Sequence, residues 1–368
     1  MSSLLADGAE ASPSSPSPDR VGAVVLAAGS GTRMRSSLHK VLHPVVGRTM
    51  LWHVLEAVRG AGVLPSSTVI VVGDRAGQVV ASVDQDRAGA GYTYAEQAER
   101  LGTGHATLVA RPQVKGNPST IVVAYGDTPL LQASTVERLL RTHHETGALV
   151  TLVTGVVDDP SGYGRIVRDP ETGDVTGIVE HRDATPEQRA IREINSGFCA
   201  FDAAWMWANL PLVPTAPNGE IYLTTLAELA SREDPRRVAT TVLDDVFETV
   251  GVNTRLQLAE AEARLRRRLV LQMIGAGVTC EDPATVYLEP GVEIGEETVI
   301  RANTHLRGTT RVGRGCIIGP NAILTDATVG DGAMVVASVI DGVAVAPGTS
   351  VGPFSNLALP GGAVARHV

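Results

Sequence analysis

Short apolar runs alternate with amphipathic stretches along the first two thirds of the chain. Between Val21 and Gly251 the apolar runs are VGAVVLAA, STVIVVG, STIVVAYG and GALVTLVTGVV, and helix-like segments such as MLWHVLEAVRG and ASTVERLLRTHHE lie among them. Runs that are apolar at every position are typical of strands buried on both faces, and their alternation with helices favours parallel pairing. The pattern predicts an α/β domain over residues 21–252, in which helices cover a mostly parallel, Rossmann-like sheet.

The next segment has a helical pattern. NTRLQLAEAEARLRRRLVLQMIG, from Asn253 to Gly275, carries apolar residues at helical spacing and acidic residues ahead of basic ones, an order that stabilises a helix. It predicts one connecting helix, within a linking region at residues 253–283.

Beyond Pro283 an aliphatic residue returns every six positions. The repeat slips by one residue near Val329 and then resumes; its other members are Ile294, Ile300, Leu306, Val312, Ile318, Leu324, Val335, Val345, Val351 and Leu357. A six-residue aliphatic repeat is the signature of a parallel β-helix, whereas a sandwich alternates with period two. The repeat predicts about four coils over residues 284–357, followed by a tail at 358–368.

Charge and composition exclude some partners. The formal net charge of the 368 residues is −9, and no run rich in Lys and Arg is interleaved with aromatic residues, so a nucleic-acid partner is not expected. Residues 1–20 repeat Ser and Pro and predict a disordered leader. Cys199, Cys280 and Cys316 show no paired or metal-ligand spacing, which favours free, buried thiols in a reducing compartment.

The chain gives no sign of membrane insertion or export. No apolar run approaches the roughly 20 residues that span a bilayer, and the N-terminus lacks the basic and apolar regions of a signal peptide. We therefore expect a cytoplasmic location and no membrane partner.

A glycine-containing loop follows the first predicted strand. In LAAGSGTRM, residues 26–34, Gly29 and Gly31 allow the backbone to approach phosphate oxygens closely. The loop has neither the third glycine of a dinucleotide site nor the Gly-Lys-Ser/Thr of a P-loop, and a turn that serves only chain geometry is the alternative. Arg33 and Lys40 follow, and two cations there could neutralise a transferring phosphoryl group and a departing pyrophosphate.

Lys40 is notable because lysine is scarce. Among 31 basic residues only Lys40 and Lys115 are lysines. A lysine kept beside the glycine loop suggests that a compact ammonium is needed there rather than a planar guanidinium. A surface lysine without a role is the alternative.

These motifs resemble those of a known family. The stretch LAAGSGTRMRSSLHKVLH resembles the signature of sugar-nucleotide pyrophosphorylases, especially the N-terminal half of the bifunctional N-acetylglucosamine-1-phosphate uridylyltransferase/glucosamine-1-phosphate acetyltransferase family. The resemblance continues in the family's order over residues 21–275, through AEQAERLGTGHA, YGDTPL, GYGRIVR, VTGIVEHRDATPEQRAIREINSG, GEIYLTT and VGVNTRLQL. A left-handed β-helix follows in that family.

The resemblance implies an enzyme, its substrates and its cofactor. The expected reaction joins UTP to N-acetylglucosamine 1-phosphate with release of pyrophosphate, depends on Mg²⁺, and takes place on a homotrimer. Arg33 and Lys40 are the implied catalytic residues. The implied substrate-binding residues are Leu26, Ala27, Ala28, Gly29, Gln97, Gly102, Thr103, Tyr125, Gly126, Gly164, Glu180, Asn195, Tyr222, Thr224 and Asn253.

Three groups of these residues have separate implied roles. Gln97, with Gly102 and Thr103, contacts uracil in the family, and an amide that both donates and accepts suits such an edge. Gly164, Glu180 and Asn195 engage the N-acetylglucosamine moiety. Asp127 and Asn253 are the implied metal ligands; alone, an Asp after a strand is often a turn or cap residue, and Asn253 is also a plausible N-cap.

The sequence departs from the family at three places. His39 replaces a Pro before the lysine, which removes a fixed φ and adds a titratable group beside Lys40. Thr225 replaces an Asp. The stretch VGPFSNLALPGG resembles the start of the acetyltransferase pocket but lacks its arginines, and the chain ends at Val368, so acetyltransferase activity is not expected.

Other functions stay open at this level. A uridylyl- or thymidylyltransferase for another sugar 1-phosphate keeps the same chemistry, and Glu180 and Asn195 argue against it. A catalytically silent partner that assembles through its β-helix is a second alternative. A hexapeptide acyltransferase is a third, and it would need later coils and a pocket histidine.

Overall fold

The computed structural model describes residues 21–87 and 89–358, which form two compact units. The sheet unit comprises residues 21–31, 37–41 and 53–251, and the β-helix unit comprises residues 32–36, 42–52 and 252–358. The sequence placed one boundary at 252/253, but the structure also assigns Thr32–Ser36 and Leu42–Trp52 to the β-helix unit. The predicted leader, and all of the predicted tail but Ala358, lie outside the described residues.

The elements run through both units in chain order. The strands are β1 (Val21–Ala27), β2 (Pro44–Val45), β3 (Arg48–Thr49), β4 (Thr68–Val72), β5 (Thr93–Glu96), β6 (Thr120–Tyr125), β7 (Val150–Val156), β8 (Arg165–Arg168), β9 (Val175–Val179), β10 (Glu193–Asp202), β11 (Val238–Leu243), β12 (Thr279–Cys280), β13 (Tyr287–Leu288), β14 (Glu293–Ile294), β15 (Val299–Ile300), β16 (His305–Arg307), β17 (Arg311–Val312), β18 (Ile317–Ile318), β19 (Ile323–Thr325), β20 (Thr328–Val329), β21 (Met334–Val335), β22 (Val339–Asp341), β23 (Ala344–Val345), β24 (Ser350–Val351) and β25 (Asn356–Ala358).

The α-helices are α1 (Met50–Gly60), α2 (Ala76–Asp86), α3 (Gly102–Ala110), α4 (Ala133–Thr146), α5 (Pro186–Arg189), α6 (Ala203–Asn209), α7 (Thr225–Glu233) and α8 (Arg255–Gly275). Short 3-10 helices cover Thr32–Met34, Lys40–Leu42, Pro65–Ser67, Arg111–Gln113, Leu210–Leu212, Pro235–Arg237 and Val246–Thr249. In the part of the chain that the structure describes, no helix has the length and apolarity needed to cross a bilayer.

The sheet unit is built on a nine-stranded, mostly parallel sheet, as the sequence predicted. Its central order is β11-β7-β10-β6-β1-β4-β5. The pairs β6–β1, β1–β4, β4–β5 and β11–β7 are parallel. Strand β10 runs antiparallel between β6 and β7, and β8 and β9 extend the sheet beside it.

Burial explains why the apolar runs became central strands. Every residue of β4 and all of β1 except Leu26 are buried, because neighbouring strands and covering helices shield both faces. The segment MLWHVLEAVRG forms α1 with the predicted bounds, and α4 includes the predicted ASTVERLLRTHHE. Gly147 ends α4 with φ +60°, a left-handed C-cap that favours glycine.

The six-residue repeat forms a left-handed parallel β-helix. Its three sheets hold five, five and four strands, slightly more than the predicted four coils provide. The predicted aliphatic residues stack inside: Ile300 aligns with Ile318, and Ile318 with Val335. The single predicted slip is wrong, because Ile340 stacks on Leu324 and Val345 on Val329, which requires three five-residue steps.

A second inward column accompanies the aliphatic one. Thr298, Thr304 and Thr310 each precede a strand and are fully buried. Each hydroxyl donates to a backbone carbonyl, of Gly313, Arg301 and Arg307 respectively, at 2.6–2.8 Å. Threonine thus recurs two positions before Ile300, Leu306 and Val312, a feature that the repeat analysis missed.

The start of the connecting helix excludes the N-cap role that the sequence allowed for Asn253. Helix α8 begins at Arg255, and its N-cap is Thr254, whose hydroxyl accepts the Gln257 N–H in a capping box. Asn253 is therefore not the N-cap. Within the β-helix unit, α8 binds the two early segments: Arg255 Nε donates to the Met34 carbonyl at 3.3 Å, and the Val46 N–H donates to Glu262.

All three cysteines are free. Cys199 and Cys316 are buried, as predicted, whereas Cys280 is only partly buried. The prediction of burial is wrong for Cys280 because it lies in β12, which ends one sheet of the β-helix and has a neighbour on one side only.

Candidate active site

An open cavity of about 520 Å³ lies in the sheet unit. Residues just beyond the carboxyl ends of β1, β5 and β6 line it, among them Ala28, Gln97 and Asp127. Open α/β sheets bind ligands at this edge because the loops that follow parallel strands converge there. The cavity is therefore the candidate active site.

Most residues implied by the family resemblance meet in this cavity. Those that line it are Leu26, Ala27, Ala28, Gly29, Lys40, Gln97, Gly102, Thr103, Tyr125, Asp127, Gly164, Glu180, Asn195, Tyr222 and Thr224. Gly126 lies in the turn between two of them, and its N–H donates to the Leu26 carbonyl at 2.9 Å. Arg33, which is exposed, and Asn253 belong to the β-helix unit.

The two glycines of the first loop do different things. Gly31 has φ +59°, and a Cβ there would lie 2.6 Å from Cβ of Lys40. At Gly29, no atom of the described residues beyond its two chain neighbours lies within 4 Å of the position of a Cβ, yet Gly29 lines the cavity. Gly31 is thus required by the protein's own packing, whereas the absent side chain of Gly29 leaves space for a ligand.

Lys40 and Asp127 form an ion pair in the cavity wall. The Lys40 ammonium donates to the Asp127 carboxylate, and the two side chains are only 10% and 18% exposed. Beside them, His39 is buried, and its backbone N–H donates to Gln78 Oε1 at 2.9 Å, a bond that proline could not make. Burial, followed by the neighbouring charges of Lys40 and Arg75, lowers the pKa of His39.

Gln97 and the start of α3 form another part of the wall. Gln97 is buried, and its Nε2 donates to the Gly102 carbonyl at 3.0 Å. Gly102 has φ +93°, and a Cβ there would lie 2.6 Å from the Ile221 carbonyl oxygen. The Thr103 hydroxyl accepts the Leu223 N–H at 3.1 Å. These contacts join residues 101–104, at the start of α3, to the segment that carries Tyr222 and Thr224.

Gly164, Glu180 and Asn195 adjoin one another. A Cβ on Gly164 would lie 3.4–3.5 Å from the Glu180 carboxylate oxygens, and the Gly164 carbonyl accepts the Asn195 N–H at 2.9 Å. Asn195 Oδ1 accepts the Gly197 N–H at 3.1 Å, which leaves the amide nitrogen for a ligand. Burial, followed by the nearby Asp183 charge, raises the pKa of Glu180, and a hydrogen bond from Thr224 opposes that rise.

The Tyr125 ring lies so close to position 197 that only glycine fits there. Gly197 has φ +88°, and a Cβ there would lie 2.7 Å from the Tyr125 ring. The ring packs edge-on against Phe198, with 6.2 Å between centroids. Burial raises the pKa of the Tyr125 hydroxyl, so the phenol stays protonated and can donate a hydrogen bond at neutral pH.

The cavity includes polar residues that the sequence analysis did not single out. They are Arg100, Tyr163, Ser196 and Glu220. Each lies within or beside a motif already quoted, namely AEQAERLGTGHA, GYGRIVR, REINSG or GEIYLTT. A search for further polar side chains in those motifs would have found them.

Thr225 is the first residue of α7, and its N–H donates to the Tyr222 carbonyl at 3.2 Å. Glu228 is the acidic residue in the first turn of that helix. The usual Asp at position 225 would add negative charge where the helix dipole favours it.

Comparison with known proteins identifies the family. Residues 23–170 match the MobA-like NTP transferase domain. The chain is 43% identical over 347 residues to the bifunctional protein GlmU of Heliobacterium modesticaldum, a match that covers 94% of this chain and 74% of that protein. It is 44% identical to the GlmU of Streptomyces avermitilis, with 91% and 69% covered.

A solved structure supports the fold. The chain resembles a putative glucose-1-phosphate thymidylyltransferase from Bacillus anthracis, with a TM-score of 0.53 and 17% identity over 67% of this chain and 95% of that one. The fold, the cavity and the extent of the sequence matches lead to one conclusion: the chain belongs to the GlmU family and is a nucleotidyltransferase.

Proposed function

We propose that the protein transfers the uridylyl group of UTP to N-acetylglucosamine 1-phosphate. The observation that best supports this is a single cavity lined both by Gln97, Gly102 and Thr103 and by Gly164, Glu180 and Asn195. The family resemblance assigns the first set to uracil and the second to the sugar. Membership of the GlmU family makes sugar 1-phosphates the acceptor class.

The proposed reaction is an in-line displacement at the α-phosphorus of UTP. An oxygen of the sugar phosphate forms the new P–O bond as the bond to the β-phosphate bridging oxygen breaks, and pyrophosphate leaves with that electron pair. A phosphate dianion is already a nucleophile, so positioning and charge neutralisation carry the catalysis. Lys40 would neutralise phosphate charge in the cavity, and Arg33 would do the same for the departing pyrophosphate.

Magnesium fits the residues present. The Asp127 carboxylate lines the cavity, and no group of three or more His, Cys, Asp and Glu residues suited to a metal occurs within residues 21–87 and 89–358. Mg²⁺ commonly takes one or two protein carboxylates and completes its octahedron with water and phosphate oxygens. Asp127, with Asn253 as the resemblance implies, would hold it, and the bound ion would orient and neutralise the phosphates.

The polar groups around Asn195 would select the sugar. Oδ1 accepts the Gly197 N–H, and in the described residues the amide nitrogen donates to no protein group, so it can donate to a ligand. A site that is built to hydrogen-bond a substituent rejects an analogue lacking it, because buried polar groups are then unpaired. The 2-acetamido group supplies such partners, and a 2-hydroxyl supplies fewer.

A substrate panel tests the proposal. Purified protein with Mg²⁺ would receive UTP or dTTP together with N-acetylglucosamine, glucose or galactosamine 1-phosphate, and pyrophosphate release would be followed by a coupled assay. We expect the highest kcat/KM for UTP with N-acetylglucosamine 1-phosphate. A higher value for another pair would identify a different sugar nucleotidyltransferase, and no release from any pair would favour the silent assembly partner.

The same preparation tests the second activity of the bifunctional family. VGPFSNLALPGG contains no basic residue, so we expect no binding of a sugar phosphate there and no acetyl transfer. Glucosamine 1-phosphate and acetyl-CoA would be supplied, and free CoA thiol measured. Thiol release that depends on the sugar phosphate would overturn this expectation.

We also propose that the protein assembles as a homotrimer through its β-helix. Met334, Val339 and Phe354 are 37%, 41% and 89% exposed on the coils, and exposed apolar side chains of this size favour association. Light scattering over a range of concentrations measures the mass, and a monomer at every concentration would contradict the trimer.

A further inference from the structure

The Gly102 carbonyl fixes the orientation of the Gln97 amide. Its Nε2 lies 3.0 Å from the Gly102 carbonyl oxygen and 3.2 Å from His105 Nδ1. A carbonyl oxygen can only accept a hydrogen bond, so the amide atom that faces Gly102 must be the nitrogen. Reversing the amide would place its oxygen against the Gly102 oxygen, so that two acceptors would face each other.

The same geometry fixes the tautomer of His105. The second N–H of Gln97 points towards Nδ1, so that ring nitrogen must be unprotonated and the proton of the neutral imidazole resides on Nε2. His105 lies on α3, one turn after Gly102. One short helical segment thus supplies both acceptors.

The amide therefore presents an acceptor to the cavity. Both hydrogens of Nε2 are used within the protein, and in the described part of the chain nothing donates to Oε1. Gln97 lines the cavity although its side chain is otherwise buried. An acceptor here suits a pyrimidine whose ring N3 carries a hydrogen, as in uracil and thymine, and opposes cytosine, whose N3 is itself an acceptor.

We propose that His105 is a specificity-determining positioning residue, which holds the Gln97 amide so that its oxygen selects an N3–H pyrimidine and rejects cytosine. This inference rests on the proposed function for the placement of the base at Gln97. It adds a residue that is not part of the cavity lining and acts through the amide. Gly102 supplies the other acceptor, so loss of His105 weakens the selection without abolishing it.

The test compares UTP with CTP in three proteins. His105→Leu removes the acceptor at similar size, and His105→Asn can present its side-chain oxygen near the position of Nδ1. One hydrogen bond contributes about 1 kcal/mol, so we expect His105→Leu to lower the UTP/CTP ratio of kcat/KM about fivefold, mainly through KM for UTP. We expect His105→Asn to stay within about twofold of the wild type.

The ratio separates positioning from general damage. A purely structural defect would lower turnover with both nucleotides and leave their ratio unchanged, and that result would overturn the proposal. Equal loss of the ratio in His105→Asn and His105→Leu would also overturn it, because the side-chain acceptor would then be irrelevant.

A second measurement uses the unaltered protein. Histidine labelled with ¹⁵N reports the protonation of each ring nitrogen by NMR, and the spectrum of His105→Asn identifies the His105 signals. We expect an unprotonated Nδ1 and a protonated Nε2; a proton on Nδ1 of the neutral ring would overturn the inference. This result does not depend on turnover, so it decides the inference even if another sugar phosphate is the substrate or if His105→Leu fails to fold.

Discussion

Around its cavity the sheet unit buries polar side chains, whereas the β-helix fills its interior with aliphatic ones. Lys40, Gln97 and Arg165 are all buried, and each makes hydrogen bonds to other residues of its unit. In the β-helix, Ile300, Leu306 and Ile318 are fully buried, and the threonine hydroxyls beside them bond to backbone carbonyls.

The difference concerns the polar groups that each unit buries. A buried polar group is costly unless it is hydrogen-bonded, and a satisfied network of such groups holds its members in fixed positions. In the described β-helix, the interior hydroxyls of Thr298, Thr304 and Thr310 donate to backbone carbonyls. The sheet unit, in contrast, leaves Gln97 Oε1 and the Asn195 amide nitrogen for a ligand.

The largest effect is expected from removing one charge in the cavity. Asp127→Asn keeps a hydrogen-bond acceptor for Lys40 but loses the carboxylate that would hold Mg²⁺, so kcat should fall by about a hundredfold or more. Pyrophosphate release measures turnover, and circular dichroism checks the fold. Asp158→Asn is the matched control, because that side chain is fully exposed. Equal activity in the two variants would contradict the assignment of Asp127.

A substitution in the β-helix interior should lower stability and leave turnover unchanged. Leu324 is fully buried among the stacked aliphatic residues, and Leu324→Ala should lower the free energy of unfolding of the β-helix unit by about 2–5 kcal/mol. Turnover well below the melting temperature should be unchanged. Denaturant unfolding measures the loss, and the exposed Thr328→Ala should change stability by less than about 0.5 kcal/mol. A lower kcat with unchanged stability would break the comparison.

Buried chemistry in the sheet unit extends beyond the cavity to His143. Burial lowers the pKa of His143 to about 4 from the ordinary 6.5. The unfolded chain therefore binds a proton as pH falls below about 6.5, while the folded protein excludes it until about pH 4. Above this pH window the free energy of unfolding should not depend on His143. As the pH falls through the window, the free energy of unfolding should decrease by about 3 kcal/mol in total.

His143→Gln isolates this contribution. It removes the titrating ring while retaining a group that can bond to Thr151, which lies 2.9 Å from Nδ1 of His143. Unfolding free energies at several pH values between 4 and 7 should fall less steeply for the variant than for the wild type. Identical slopes would show that His143 does not contribute to the pH dependence.

The smallest effect concerns the two loop glycines. Gly31→Ala puts a side chain at φ +59° and against Lys40, so stability should fall by about 1–2 kcal/mol. Among the described residues beyond its chain neighbours, the new methyl of Gly29→Ala meets no atom within 4 Å, so stability should change by less than about 0.5 kcal/mol while KM for the nucleotide rises. Thermal unfolding and steady-state kinetics separate the two. A stability loss in Gly29→Ala matching that of Gly31→Ala would contradict the distinction.

Local sequence determined several elements of each unit and many of the cavity residues. Continuous apolar runs specified the buried strands β1, β4, β6 and β7, and helical spacing specified α1, α4 and α8, because burial requires those periods. The six-residue repeat specified the β-helix, although not its later slips. Ordered family motifs identified Gln97, Asp127 and Glu180 before any contact was known.

Only the tertiary structure decided how distant residues act on one another. Lys40 and Asp127 are 87 positions apart, and their pairing depends on β1 and β6 lying side by side in the sheet. The side-chain amide of Gln97 has both a donor and an acceptor. Its contacts with Gly102 and His105 in the folded protein use the donor, so the acceptor remains for a ligand. Periodicity records which face of an element is buried, whereas the direction of a hydrogen bond depends on the groups that folding places opposite it.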